Sequence, residues 1–136
     1  MRMRFFAELT GAEQVPPVNT SATGQADFQY NEGSRQIFYR LKMRNIRRVF
    51  AAHIHLGRRG VNGPVIAPMF NSSPGITLTQ GQVMGTISQG ELTGPLEGRD
   101  LRDLIDEMNA GNTYVNAHTD QYPDGEIRGQ IRRTDR

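Results

Sequence analysis

From Arg35 to Arg44, "RQIFYRLKMR" sets Ile37, Tyr39, Leu41 and Met43 against Gln36, Arg40, Lys42 and Arg44. A period of two is what a strand needs when one face meets the core and the other meets water. Phe38 breaks the alternation by joining the polar face. Upstream, Ala22, Gly24, Ala26, Phe28 and Tyr30 alternate with Thr23, Gln25, Asp27 and Gln29. The "NEGS" between the two runs carries Asn31 and Gly33, which suit a tight reversal, so the pair predicts a β-hairpin. Further strands are predicted at Arg4–Leu9, Val49–Leu56, Val65–Phe70, Gln82–Ser88, Thr113–His118 and Glu126–Arg132. "FNSSPG" and "PDG" read as turns. "AEQVPPVNTSATG" reads as extended loop, because Pro16 and Pro17 cannot donate to a ladder.

One stretch has a different period. In "GRDLRDLIDEMNAGN", Leu101, Leu104, Ile105 and Met108 recur at helical spacing, and Gly111 stands where a helix C-terminal glycine belongs. Asp100 and Asp103 near its start favour the positive end of the helix dipole. The pattern predicts one short helix, about 99–109, inserted among about eight strands: an all-β domain, read as a sandwich over residues 3–134. Its expected core includes Ile37, Tyr39, Leu41 and Ile127, with the four apolar helix residues packed on it as one face.

Composition narrows the chemistry. The 136 residues include no cysteine, which excludes disulfides, thiolate zinc sites, iron–sulfur clusters and blue-copper centres. No apolar run approaches the roughly 20 residues of a membrane-spanning helix, so no membrane span is expected. The opening "MRMRFFAEL" is too briefly apolar for a signal peptide, which implies a cytoplasmic protein or a leader already removed. Formal charge is only +2, yet 15 of the 16 basic residues are arginine. The clusters Arg40–Lys42–Arg44–Arg47–Arg48, Arg58–Arg59 and Arg132–Arg133 invite a polyanion surface. With no interleaved stacking aromatics and no binding motif, they read instead as a solvated face, and no nucleic-acid partner is expected.

The chain has three histidines in two phrases, "AAHIHLG" and "TYVNAH". Residues i and i+2 of a strand share a face, so His53 and His55 form a bidentate clip for a metal ion. His118 shares its face with Tyr114 and Asn116, and it converges on the clip if the two strands are neighbours. Three neutral imidazoles suit copper, zinc or nickel, with Asp120 available to complete or orient the site. The competing reading is three polar residues on a strand face with no ion. In "DGEIRGQ", Glu126 and Arg128 at i and i+2 read as a salt-bridged pair rather than catalytic groups. There is no nucleophile elbow and no phosphate loop, so no enzyme class is indicated and no catalytic residue is named.

The phrases "EQVPPV", "AHIHLGRRGVNGPV", "AGNTYVNAHT" and "PDGEIRGQ" resemble, in this order, the CHRD domain, first described in chordin, over about Met3 to Arg132. The resemblance implies a secreted or cell-surface β-rich module without an established enzymatic activity, whose partner is an unknown protein or surface ligand. A weaker similarity, to copper–zinc superoxide dismutase, lies in the order His-x-His, late His, then Arg. It implies an immunoglobulin-like or dismutase-like Greek-key sandwich, with His53, His55 and His118 as copper ligands and Arg128 as an anion-guiding arginine. No histidine is left for a bridging ligand or a separate zinc site. The expected function is a non-catalytic extracytoplasmic binding module with a three-histidine metal site, copper or alternatively zinc. The alternatives are a copper-dependent redox or superoxide-related enzyme, and a structural or interaction module without metal.

Overall fold

The structure, a computed structural model, describes residues 2–135. Seven strands are assigned among them: β1 (Arg2–Thr10), β2 (Thr23–Asn31), β3 (Gln36–Leu56), β4 (Val65–Ser88), β5 (Thr113–Thr119), β6 (Ile127–Gln130) and β7 (Arg132–Arg133). A single α-helix, α1 (Leu101–Asn109), lies between β4 and β5. The sheet runs β2-β1-β6-β5-β3-β4, and β2 also pairs with β3, so the path returns on itself. This is an all-β protein with one short helix, as expected. The Greek-key sandwich is corrected: one sheet closes into a barrel-like ring, where two open sheets were anticipated.

Closure depends on the length of β3. Its first half pairs with β2, from Gln36↔Asn31 to Arg44↔Thr23, and its second half with β5, from Val49↔Thr119 to Leu56↔Thr113. Strand β4 occupies the opposite edge throughout. Between the halves Asn45 and Arg48 take positive φ, 55° and 51°, and the register shifts. Such a bulge bends a strand without ending it. It explains why two expected strands, Arg35–Arg44 and Val49–Leu56, are one. Strand β4 likewise absorbs Val65–Phe70 and Gln82–Ser88, and "FNSSPG" is part of that strand rather than a turn. The expected Glu126–Arg132 strand is instead split into β6 and β7 at Ile131.

Met3, Phe5, Ala7 and Leu9 from β1 meet Phe28, Ile37, Leu41, Met43 and Ile127 in the interior. Tyr39 joins them, while Phe38 lies on the outer face. The helix presents Leu101, Leu104, Ile105 and Met108, all buried, as one face. Asp100 caps it by accepting from the Arg102 amide at 2.8 Å, and Gly111 follows it at φ 78°. In the β2–β3 turn Asn31 Oδ1 accepts from the Gly33 amide at 2.9 Å. No helix is long and apolar enough to cross a membrane among the described residues.

Candidate metal centre

The register places the three histidines. Ala51 lies opposite His118, His53 opposite Asn116 and His55 opposite Tyr114, so these six residues share one face of the β3–β5 pair. His118 is therefore the diagonal neighbour of His53, a separation long side chains bridge. The ring centroids are 4.9 Å apart for His53 and His118, 6.0 Å for His53 and His55, and 6.1 Å for His55 and His118. One ligand atom from each ring lies within 4.8 Å of the others. The expected convergence is present.

Hydrogen bonds decide which atoms converge. His55 Nδ1 lies 2.8 Å from the Gly63 carbonyl oxygen, and His118 Nδ1 lies 2.9 Å from that of Pro123. A carbonyl only accepts, so both Nδ1 atoms carry the proton and both Nε2 atoms keep a free lone pair. His55 Nε2 has no hydrogen-bond partner within the protein. His53 Nδ1 lies 3.1 Å from His118 Nε2 and, since that Nε2 carries no proton, donates to it in the metal-free chain. A tetrahedral ion with bonds of 2.0–2.1 Å holds its nitrogens about 3.3 Å apart, so one pair already stands at that spacing. Carbonyl acceptors on the outer nitrogen are the usual means of fixing a metal-binding histidine.

Two loops supply those carbonyls, and glycine is what lets one of them in. A Cβ on Gly63 would lie 1.6 Å from the Leu56 carbonyl oxygen, so only glycine permits the 57–63 loop to fold back on β3. The loop is held from below by Arg128, whose side chain is 1% exposed. Its guanidinium donates to the Arg58 and Val61 carbonyls at 3.2 and 2.8 Å and to Asn62 Oδ1 at 3.0 Å. It also lies 3.5 Å from the centroid of Tyr114, and that ring stacks on His55 at 4.8 Å and 8°. The second loop, after β5, is tied by Glu126, which accepts from Thr119 Oγ1 at 2.8 Å and from Thr20 Oγ1 at 2.6 Å. The expected Glu126–Arg128 salt bridge is thus corrected. Each group is spent on a different loop.

Electrostatics keep the rings ready to coordinate. Burial, reinforced by the charges His118 and His55 would carry, lowers His53 to about 4. Burial also lowers His55 and His118, against the opposing pull of the Gly63 and Pro123 carbonyls. Neutral imidazole is the form that binds a metal.

Of the remaining expected residues, Asn116 joins the histidine face, Arg128 sits beneath the 57–63 loop, and Asp120 pairs with Arg48 at the β3 bulge. Reading side chains alone misses Gly63 and Pro123, because their contribution is a backbone carbonyl. The glycine eight residues after His55, inside "GRRGVNGP", was the available signal. Gln14 was also missed. It lines a cleft beside His55 together with Asn116 and Gly125.

The sequence pattern of the CHRD domain matches residues 5–131. No curated protein matches the chain. Nothing in these comparisons supports the dismutase likeness. With nearly the whole chain matched, the protein belongs to the CHRD domain family.

Proposed function

We propose that this chain is a non-catalytic CHRD binding module in which His53, His55 and His118 hold one transition-metal ion, with copper as the first candidate and zinc as the alternative. The observation that carries the proposal is the pair of carbonyl-locked tautomers, which leaves Nε2 of His55 and of His118 unprotonated, the latter 3.1 Å from His53 Nδ1. Imidazole-only donor sets suit both ions. The ligand atoms furthest apart, 4.8 Å, need to close by about 1.5 Å on binding, a movement of side chains on a fixed sheet. Arg128 and Tyr114 serve as positioning residues for His55 rather than as an anion guide, since the guanidinium is enclosed by the loop it holds. The family relationship supports an extracytoplasmic location, with a protein or surface ligand as partner. Dialysis against Cu(II) or Zn(II) followed by metal analysis tests the proposal. One ion per chain, abolished in His118→Ala, is expected. Less than about a tenth of an ion, unchanged by that substitution, refutes it. Superoxide or peroxide turnover above that of free ion would replace the non-catalytic reading with a redox enzyme.

A further inference from the structure

Beside His55 the loop from Gln14 to Asn19 and the turn from Gln121 to Gly125 enclose an open cleft of about 730 Å³. That volume falls in the range of small-molecule sites. Pro16, Pro17, Val18 and Pro123 give it an apolar lining, and Gln14 and Asn116 a polar one. Gln14 is 7% exposed and Asn116 3% exposed, and neither Gln14 Oε1 nor Asn116 Oδ1 has a hydrogen-bond partner within the protein. Gly125 separates the two amides. A Cβ there would lie 2.8 Å from Asn116 Nδ2 and 2.8 Å from both Gln14 Nε2 and Gln14 Oε1, so the pair can approach only around a glycine. An unpartnered buried carbonyl is costly to leave unsatisfied, and two in one cleft is an arrangement that a bound donor would relieve.

Charge selects the kind of donor. The chain is rich in arginine, yet no arginine or lysine lines this cleft among the described residues, and Asp124 does. The nearest buried cation, Arg128, donates to the 58–62 loop instead. The unpartnered acceptors and the carboxylate favour a hydrogen-donating, positively charged group and disfavour an anion. We propose that the cleft binds a small primary amine, its ammonium group between Gln14 Oε1 and Asn116 Oδ1 and its compact apolar body against Pro16, Pro17 and Val18. This goes beyond the metal reading and does not depend on it: of the three histidines only His55 lines the cleft, and the acceptors assigned to the amine are those of Gln14 and Asn116.

The test uses three probes alike in body and different in head: isobutylamine, isobutyramide and isobutyrate, added to the metal-free chain. The readout is the side-chain amide signals of Gln14 and Asn116 in a 1H–15N correlation spectrum. The amine is expected to shift both, with a Kd of about 1 mM for so small a probe. The amide should bind more weakly and the carboxylate not at all. Gln14→Met and Asn116→Leu should each weaken amine binding at least about tenfold without loss of thermal stability, since each removes an unpartnered acceptor. Metal uptake by Gln14→Met should be unchanged, and amine binding by His118→Ala should persist, so the two proposals fail separately. A peptide with a free amino terminus that binds more tightly than isobutylamine, and loses that binding on acetylation, would assign the amine to a peptide end. Equal binding of amine and carboxylate overturns the proposal. So does the absence of any shift at about 50 mM, in which case the cleft holds only solvent.

Discussion

The two halves of β3 share an inner face and part company on the outer one. In the first half, Ile37, Tyr39, Leu41 and Met43 face the core while Phe38, Arg40, Lys42 and Arg44 face water. In the second half, Ala52 and Ile54 face the core, but the opposite face carries His53 and His55, and loops cover it. The strand runs on through the bulge, although its register shifts and its partner changes from β2 to β5. What matters for the site is whether the outer face meets solvent. Charge is stable on the open half, whereas on the covered half neutral imidazoles are retained and their titration is pushed down. A covered polar face on a rigid sheet is the setting in which ligand atoms can be held in advance of the ligand.

The inner faces should respond alike to truncation. Leu41→Ala and Ile54→Ala, both fully buried, are each expected to cost about 2–5 kcal/mol in denaturant unfolding. A marked difference would mean that the covered half packs loosely. The outer faces should then diverge. His55→Ala is expected to weaken metal binding by about 100-fold or more, read by competition with a chelating dye. Arg40→Ala, on the exposed half, should change stability by less than about 0.5 kcal/mol and leave metal binding untouched.

Smaller than the loss of a ligand is the loss of its support. Arg128→Met keeps much of the side chain's length but cannot donate to the 58–62 loop. Metal affinity should fall about 10–100-fold, with the ligands themselves intact. An unchanged affinity would remove Arg128 and Tyr114 from the account of His55.

The effect of pH follows from the sign of the histidine shifts. The folded-state value of His53 is lowered to about 4, below the ordinary value of about 6.5 that the unfolded chain keeps. The unfolded state therefore binds more protons in that interval, and the metal-free protein should lose stability as pH falls from about 6.5 to 4. Above 6.5 the contribution is fully present. His53→Asn should flatten the profile over that window in thermal unfolding. A metal-free protein that gained stability on acidification there would contradict the burial of the three rings.

Much of this was legible from periodicity. The alternation from Ala22 to Met43 specified the hairpin, and the helical spacing from Leu101 to Met108 specified α1, because each element buries one face and its pattern records which. The face shared by Tyr114, Asn116 and His118 was equally readable. Ring closure was not, since it depends on one strand changing partner at Asn45–Arg48, and positive φ at an asparagine and an arginine leaves no hydrophobic signature. The tautomer locks escaped for a related reason. Gly63 and Pro123 contribute carbonyls, which every residue possesses, and only the close approach at Gly63 leaves a mark in residue type. Gln14 stands 41 residues before His55 in the chain, so only the fold unites them.

The central claim concerns which nitrogen of each ring is free, and a long-range 1H–15N spectrum of the imidazoles during titration with Zn(II) reads that directly. The account predicts that His55 Nδ1 and His118 Nδ1 are protonated before and after the titration. It predicts that His55 Nε2, His118 Nε2 and His53 Nδ1 take on the shifts of metal-bound nitrogen at one equivalent of zinc. Coordination through Nδ1 of His55 or His118, or three rings unchanged at saturating zinc, would contradict it.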